Sequence, residues 1–508
     1  MGATPGRIDI KQAAARAERA LACSAEPLAA LHGEAWPETL LALAWRRVID
    51  DSAHDSICGC SRDEVVDQVL VRFAEATQVA EGLTLRALRP ASSRTPRGAW
   101  VIANPSPAER TSLVDLVVDV PHAWAAVELE LPDGSRVATQ AEPVGLPLMP
   151  PFEVLGREVP DLFRRRAHGR ELFGRSLDGW RVEQGADGPR LLLLLDDPDA
   201  PEELVVGDLV DAVTAATSEA PDASWLVVPV VPDRRRLLAE VPVPALGWTS
   251  ARVVEARPAA ADSTPSHAVS VTATRMANGL LALSIATDGT LRIEGSGGVL
   301  EGVGRIVEGG DRGDSYNFAP PAGDAIVERP EAVTTRVVET GPLRGRLEVT
   351  RRYAWPEGLH ATGDGRTDRT VHTDVVTLLE LRRGEPYLRV RVSFRNASKD
   401  HRVRWHIPLP RPTDASYAEA QFAVVRRGLV PEAGHGEVPL ATAPARGFVH
   451  AAGVTVLLDH VTEYRAGRRP GAGADPAPLD GAHQPQRQRV PRGPGRARGA
   501  HPGRPDAG

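Results

Sequence analysis

One short segment of this 508-residue sequence concentrates side chains that can do chemistry. Residues 52–60, Ser-Ala-His-Asp-Ser-Ile-Cys-Gly-Cys, carry an imidazole at His54, a carboxylate at Asp55 and thiols at Cys58 and Cys60. Zinc prefers imidazole and thiolate ligands, so these residue types allow a metal site. Cys-x-Cys is poor spacing for a closed structural site, however, and the sequence has no second cysteine pair. The alternative is a helix-connecting loop whose small residues permit a tight turn.

A second polar segment, residues 311–317, reads Asp-Arg-Gly-Asp-Ser-Tyr-Asn. Asp311, Asp314 and Tyr316 suit a sugar-facing surface or an ordinary polar turn about equally, and we interpret the Arg-Gly-Asp tripeptide as coincidence. His372 and Asp374 alternate as residues on one face of a strand do, a pattern more typical of a solvated hairpin than of a site. No local signature supports a cysteine–histidine protease.

The first ninety residues have the apolar spacing of helices. Residues 10–31 are alanine-rich around Pro27, and Pro37 precedes a second apolar stripe. Ser61-Arg-Asp-Glu64 reads as a capping box before a third helix with apolar positions three and four apart. The pattern predicts a three-helix bundle over residues 1–92, with His54 in the connection between its second and third helices.

After residue 92 the helical period gives way to short strands. The clearest are residues 113–120, 225–231, 347–353, 375–381, 387–394 and 403–409. We expect a first β domain over residues 93–257 and a large β-sandwich domain over residues 258–464, with a proline-containing seam at residues 258–266. The sequence therefore predicts a multidomain α+β protein: an N-terminal three-helix bundle followed by a large all-β antiparallel sandwich region.

Composition narrows the functional classes. The chain is 42% apolar and 25% charged, as soluble globular proteins are, and no apolar run approaches the roughly 18 residues of a membrane span. Three cysteines cannot form a disulfide framework, and the first residues have no leader-like apolar run, so we expect a cytoplasmic protein. Of 60 basic residues only Lys11 and Lys399 are lysines, a bias that GC-rich codons explain.

The last 44 residues, 465–508, differ from the rest. They hold nine arginines, nine glycines and eight prolines but no aromatic residue, so they cannot form a core and are expected to be disordered. With three aspartates this tail carries +6, which leaves −13 on residues 1–464 from the chain total of −7. An acidic body and a tail without stacking aromatics argue against binding to nucleic acid.

The tail also has the composition of GC-rich DNA read out of frame. Back-translation of residues 470–493, advanced by one base, permits the string Pro-Glu-Leu-Ala-Leu-Thr-Leu-Leu-Arg-Ser and onwards, which contains a strand-like apolar run. We therefore predict a frameshift between about Tyr464 and Pro470. The neighbours of the lost sandwich strand would then gain an unpaired edge, which favours aggregation.

The histidine segment, AHDSICGCSRDEV, resembles the His-Asp-Ser/Gly-Ile-x-Gly segment of the family 38 glycoside hydrolases, which comprise retaining α-mannosidases and mannosylglycerate hydrolases. RIDIKQAAARAERAL resembles the start of that family's middle domain, and residues 102–106 its first β segment. Residues 311–317 and the strings DHRVRWHIPLP and GFVHAAGVTVLLDHVTEY resemble later parts. The resemblance covers residues 1 to about 464, the family's middle and C-terminal domains.

This resemblance implies a zinc-dependent retaining hydrolysis of a mannose-containing oligosaccharide or mannoside. It makes His54 the last zinc ligand and Asp55 a carboxylate that binds sugar hydroxyls, with Asp311, Asp314 and Tyr316 as further substrate-binding residues. The family's other zinc ligands, its nucleophile and its acid/base lie in an N-terminal barrel that we do not find here, so no catalytic residue is assigned.

The resemblance also predicts whether the chain is active by itself. We expect it to be inactive by itself, and a separate barrel-domain polypeptide is a candidate partner. The alternatives are part of a mannosylglycerate hydrolase and a non-catalytic carbohydrate-binding β protein.

Overall fold

A computed structural model of the chain describes residues 6–121, 123–144, 150–185, 188–196, 204–257, 266–314, 316, 318–430, 442–459, 461–467 and 479–483. In these residues antiparallel sheets dominate, and helices are concentrated at the start of the chain. The prediction of a β-rich α+β fold is confirmed. The expected missing barrel and the domain boundaries stay predictions.

The helices of the described residues are α1 (Ile8–Ala20), α2 (Glu26–His32), α3 (Glu38–Asp51), α4 (His54–Ile57), α5 (Asp63–Ala87), α6 (Arg89–Ser93), α7 (Val159–Arg166) and α8 (Val206–Ser218). Helices α1, α3 and α5 pack around one apolar core, because each presents buried side chains at spacings of three and four residues. Phe73, at the middle of α5, is completely buried there. The connection from α3 to α5 holds residues 52–62.

Two details at the helix ends are informative. A π-helical turn, Leu21–Ala25, joins α1 to α2, and Pro27 lies in the first turn of α2. The predicted capping box at Ser61 is wrong. Arg62 precedes α5 without a side-chain cap, and the Ser61 hydroxyl donates instead to the carbonyl of Asp55, at 2.9 Å.

The next strands are β1 (Ala99–Asn104), β2 (Arg110–Val120), β3 (Val127–Glu130), β4 (Arg136–Pro143), β5 (Phe152–Leu155), β6 (Ala167–His168), β7 (Glu171–Leu172), β8 (Arg175–Gly185), β9 (Gly188–Leu195), β10 (Ser224–Val230), β11 (Asp233–Val243) and β12 (Gly247–Glu255). They form two six-stranded sheets, ordered β1-β12-β3-β4-β11-β2 and β5-β10-β9-β8-β7-β6.

The prediction that this region is all-β and antiparallel is wrong for the second sheet. Strands β9 and β10 run parallel, and α8 lies between them in the chain. Helix α8 buries Leu209, Val213 and Thr217, four residues apart, and its apolar side chains join the core that includes Leu191 and Val227. A parallel strand pair needs a crossover connection of this length, which is why a helix occurs here.

The remaining strands are β13 (Ser270–Val271), β14 (Arg275–Ala277), β15 (Leu281–Ile285), β16 (Leu291–Gly295), β17 (Gly298–Val303), β18 (Arg305–Gly310), β19 (Ala332–Glu339), β20 (Arg344–Pro356), β21 (Thr370–Arg382), β22 (Arg389–Ser393), β23 (His401–Ile407), β24 (Ala415–Ala420), β25 (Ala423–Gly428), β26 (Thr442–Pro444), β27 (Phe448–Ala451), β28 (Val454–Leu457), β29 (Glu463–Ala466) and β30 (Leu479–His483). Within the part of the chain that the structure describes, these strands form four sheets, ordered β13-β14-β15-β16-β17, β18-β23-β30-β29-β26, β19-β20-β21-β22 and β25-β24-β27-β28.

The tail differs from the expectation that all of it is disordered. Its first two residues, Arg465 and Ala466, complete β29, and Leu479–His483 forms β30 between β23 and β29. Backbone groups alone make a sheet ladder, so even a sequence without a hydrophobic pattern can occupy a strand position. The other residues of the tail, 468–478 and 484–508, lie outside the described residues.

Polar contacts join the helical part to the β part. Arg19 of α1 pairs with Asp459 at 2.6 Å, and Arg446 pairs with Glu18. The His32 Nε2 lies 3.1 Å from the carbonyl oxygen of Leu246. Among the described residues, no helix combines the length and apolarity that a membrane span requires.

Candidate functional site

His54 opens the single-turn helix α4, directly after a sharp exit from α3. Ala53 is extended, and the N–H groups of Ser56 and Ile57 donate back to its carbonyl oxygen. The imidazole Nε2 of His54 lies 3.1 Å from a carboxylate oxygen of Asp55. The side chains are 83% and 62% exposed, so both groups can meet a ligand that arrives from solvent.

Two contacts hold the connection that carries these residues, one at its start and one at Cys58. Asp51 ends α3 fully buried and pairs with Arg72 of α5 at 2.7 Å, while burial raises the pKa of the Asp51 carboxyl. The ammonium of Lys11 donates to the carbonyl of Cys58 at 3.0 Å and to that of Gly6 at 2.5 Å. The connection is thereby held from both α5 and α1.

Lys11 should make stability depend on pH in a measurable way. Burial lowers its pKa from 10.5 to about 8, so the folded state disfavours the charged amine. This penalty is present below pH 8 and is relieved as pH rises towards 10.5, where the unfolded chain still binds the proton. We expect the free energy of unfolding to rise over that interval, relative to Lys11→Met, by about 3 kcal/mol at most.

Urea unfolding at pH 7.5, 9 and 10.5 measures this effect. Lys399→Met is the matched control, because Lys399 is exposed and is the chain's only other lysine. Its stability should change with pH as that of the unaltered chain does. A Lys11→Met curve parallel to that of the unaltered chain would show that the amine has no such effect.

Gly59 forms the turn between the two thiols. Its φ is +76°, a conformation that side chains rarely adopt, and a Cβ at this position would lie 2.6 Å from the Cβ and Cγ of Arg7. Arg7 is held in turn by Asp63, the first residue of α5, at 2.8 Å. The turn therefore requires glycine for both conformation and space.

The second predicted segment is built around a buried carboxylate. Asp311 is 7% exposed, and its Oδ1 accepts hydrogen bonds from the N–H groups of Gly313 and Ala319, at 2.9 and 3.0 Å. Burial raises its pKa in spite of these donors. Asp311 thus shapes the loop from inside, whereas Asp314 and Tyr316 are exposed on it.

Two arginines of β23 contact the end of this loop at Phe318. The Phe318 ring lies under the guanidinium groups of Arg402 and Arg404 of β23, whose central carbons are 4.5 and 5.2 Å from its centroid. Arg402 also forms an ion pair with Glu463 of β29, and both side chains are at most 1% exposed. The sandwich core thereby fixes the end of the loop.

The two predicted segments meet in space, although about 250 residues separate them in sequence. The Tyr316 side chain hydrogen-bonds to Cys60, which raises the pKa of the Tyr316 hydroxyl to about 12. The negative charge of Asp55 raises it further, so this carboxylate is also nearby. The Cys60 sulfur is 3.5 Å from Asp55 Oδ1. Imidazole, carboxylate, thiol and phenol thus share one exposed surface.

Sequence reasoning missed two kinds of residue here. It did not anticipate that Cys60 joins the two loops, because nothing local in a sequence reports contact with Tyr316. It also missed the support by Arg402 and Arg404, although their alternate spacing in a strand puts both on one face. The sequence did mark Lys11 as unusual, because it is one of only two lysines among 60 basic residues.

The described residues do not form a zinc site by themselves. No group of three or more histidine, cysteine, aspartate or glutamate side chains in them is placed to hold a metal. His54 and Asp55 offer exposed ligand atoms, whereas a catalytic zinc needs about three protein ligands. The earlier alternative, a loop whose small residues allow a tight turn, agrees with the geometry of Gly59.

Comparison with known structures bears on the fold. The chain superposes on an alpha-mannosidase from Enterococcus faecalis with a TM-score of 0.67, over 95% of this chain and 51% of that one, at 18% identity. A glycosyl hydrolase family 38 protein from Enterococcus faecalis gives 0.65, over 94% and 53%, at 19% identity. The predicted resemblance to glycoside hydrolase family 38 is confirmed. At these identities the match establishes the family 38 fold.

Sequence comparison adds one shorter match. The chain is 27% identical over 143 residues to a protein of Halalkalibacterium halodurans that is named as a mannosylglycerate hydrolase, covering 24% of this chain and 15% of that protein. No protein-family model matches the chain. The chain spans about half the length of the family 38 structures, and the segment aligned with the curated relative covers 15% of that protein.

Proposed function

We propose that this chain forms the metal-completing and sugar-binding part of a zinc-dependent retaining α-mannosidase that acts on terminal α-mannosides. The observation that carries this proposal is the convergence of residues 52–60 and 311–317. It unites His54 and Asp55 with Tyr316 on a fold that matches an alpha-mannosidase over 95% of the chain.

Each side chain has a role that its surroundings allow. The exposed imidazole of His54 is proposed as one zinc ligand among others supplied from outside these residues. The Asp55 carboxylate accepts hydrogen bonds from sugar hydroxyls, and the Tyr316 phenol and the Asp314 carboxylate bind further hydroxyls. Asp311 is buried, so its proposed part in substrate binding is to hold the loop in shape.

The bond-breaking groups are proposed to lie outside these residues. Retaining glycosidases use two carboxyl groups about 5 Å apart, one as nucleophile and one as acid and then base. We assign neither role to a residue here, since Asp55 is committed to hydroxyl binding. Groups on another segment or a separate polypeptide would complete the site.

The purified 508-residue chain is therefore expected to show no turnover of an aryl α-mannoside. The measurement is release of the aryl alcohol at saturating substrate with added zinc. Hydrolysis above the background rate that disappears in Tyr316→Phe would contradict the proposed division of the site.

Zinc content tests the role of His54 directly. The DNA on both sides of this reading frame should be sequenced, and any adjoining barrel-encoding segment coexpressed with the chain. His54→Ala should then lower the bound zinc measured in the purified assembly. His372→Ala is the matched control, because His372 is also exposed and pairs only with Glu331 among the contacts described, at 3.0 Å. Equal zinc content in both variants would show that His54 is not a zinc ligand.

A second candidate is part of a mannosylglycerate hydrolase, which the named relative from Halalkalibacterium halodurans favours. The assembled protein would then cleave mannosylglycerate faster than an aryl α-mannoside. The third is a non-catalytic carbohydrate-binding β protein, for which the chain alone should bind methyl α-mannoside in calorimetry. The expected cytoplasmic location stays a prediction.

A further inference from the structure

A buried cluster of charged side chains lies where the loop at residues 311–317 begins. Glu308 is in β18, shortly before the loop, and His401 is in the neighbouring strand β23. The Nδ1 atom of His401 is 2.7 Å from Glu308 Oε1, and the guanidinium of Arg366 pairs with the same oxygen. At most 1% of each of the three side chains is exposed. Removing one member of a buried ion pair leaves its partner uncompensated, so the cluster depends on all three.

This cluster is connected to the chain on both sides of the loop. Gly310, the residue before the loop, pairs with His401 in the β18–β23 ladder. The carboxylate of Asp324, beyond the loop, accepts the N–H of Gly310 at 2.9 and 3.0 Å and lies 3.5 Å from Arg366 Nη1. The N–H of Asp311 donates to the carbonyl of the residue before His401, at 2.8 Å. A shift of His401 would therefore move both sides of the loop.

His401 uses both of its ring nitrogens. Nε2 is 3.0 Å from Asn396 Oδ1, and this oxygen also accepts the N–H of Ser398 at 3.3 Å. The Ser398 donor orients the amide oxygen towards the ring, which indicates that Nε2 donates while Nδ1 faces Glu308. The ring also contacts the buried Trp355, with centroids 5.5 Å apart. An apolar ring at this position would keep the contact with Trp355 and lose both polar contacts.

The loop in turn reaches the helical part of the molecule. Asp311 accepts the N–H groups of Gly313 and Ala319, at 2.9 and 3.0 Å, so its position sets that of the residues between them. Tyr316 lies among those residues, and its side chain hydrogen-bonds to Cys60. A displacement at Asp311 would therefore loosen the contact between Tyr316 and Cys60.

We propose that His401 is a positioning residue, which holds the loop at residues 311–317 where Tyr316 contacts Cys60. Its side chain is completely buried, so it acts through the loop and not on a ligand. The consequence for sugar binding rests on the proposed function, in which the Tyr316 phenol binds a hydroxyl group of the mannoside.

Alkylation of Cys60 by iodoacetamide tests this role in the full-length chain. Mass spectrometry gives the rate at each cysteine, and the exposed Cys23 is the internal standard. His401→Phe should raise the Cys60 rate relative to Cys23 about tenfold, because both polar contacts of the ring are lost. His401→Asn offers an amide donor near the position of Nδ1 and should keep the ratio within about threefold of that of the unaltered chain.

Two further variants separate positioning from a general loss of stability. Leu191→Ala opens a cavity in the core of the second six-stranded sheet, where Leu191 is completely buried, and should leave the ratio unchanged. Asn396→Ala removes only the partner of Nε2 and should raise the ratio about threefold, which keeps the test decisive if His401→Phe does not fold.

The outcomes that would overturn the proposal are an unchanged ratio in both His401→Phe and Asn396→Ala, an equal rise in Leu191→Ala, or a His401→Asn chain as reactive as His401→Phe. Neither sugar nor zinc is present in these reactions. A failure here would therefore leave the proposed function standing, and failure of the zinc measurement with His54→Ala would leave the role of His401 standing.

Discussion

Replacing Arg402 by methionine is expected to lower the free energy of unfolding by about 3–5 kcal/mol, because Glu463 would be left buried without its counter-charge. Both side chains are at most 1% exposed in the ion pair. The substitution also removes one of the two guanidinium groups over Phe318, at 4.5 Å, so the Tyr316 loop should loosen. Urea unfolding measures the first effect, and the rate at which a thiol reagent modifies Cys60 measures the second.

Two further variants make this result specific. Adding Glu463→Gln to Arg402→Met removes the orphaned charge and should restore much of the lost stability without restoring the contact to Phe318. Arg336→Met is the surface control, since the Arg336 side chain is 65% exposed in its pair with Glu348, at 2.9 Å, and should matter little. If the double variant is no more stable than Arg402→Met, the loss does not come from an uncompensated carboxylate.

Gly59→Ala is expected to destabilise the chain by about 2–5 kcal/mol and to displace the turn that carries Cys60. A positive φ costs a residue with a Cβ roughly 1–2 kcal/mol, and overpacking adds about 1–3 kcal/mol. The new methyl group would meet the side chain of Arg7 at 2.6 Å. The readouts are the denaturation midpoint and the reactivity of Cys58 and Cys60 towards a thiol reagent.

Gly98→Ala separates the two causes. Gly98 has a φ of +77°, almost the same as the +76° of Gly59, but a Cβ there would have no atom within 4 Å. It should cost only the conformational part, about 1–2 kcal/mol, with thiol reactivity unchanged. Similar losses in the two variants would mean that the contact with Arg7 does not matter.

The sequence predicted the elements whose periodicity is strong and local. Helix α5 buries Val66, Val69, Phe73, Ala76, Ala80 and Leu83 at the predicted spacing. Strands β20 and β21 cover the apolar runs at residues 347–353 and 375–381. The prediction failed at α8, because its residues lie in a region that the sequence predicts to contain strands only. There the parallel pairing of β9 with β10, a tertiary feature, decides that a helix connects them.

Much of the candidate site could be predicted only as separate pieces. Residue types pointed to His54 and Asp55, and the resemblance pointed to Tyr316, but the contact between Tyr316 and Cys60 depends on how the sandwich is placed against the helices. For Asp311 the sequence predicted a role in substrate binding. Its carboxylate looked available for a ligand, whereas in the structure it is buried and accepts hydrogen bonds from its own loop.

Because Lys11 is buried, cleavage after it can be used to measure local unfolding of the chain. A lysine-specific protease has only two sites in 508 residues, one after Lys11 and one after the exposed Lys399. In the folded chain the first is protected by the packing that holds the carbonyl of Cys58, at 3.0 Å from the amine. Cleavage after Lys11 therefore records loosening of the turn that carries the two thiols, and cleavage after Lys399 supplies the internal standard.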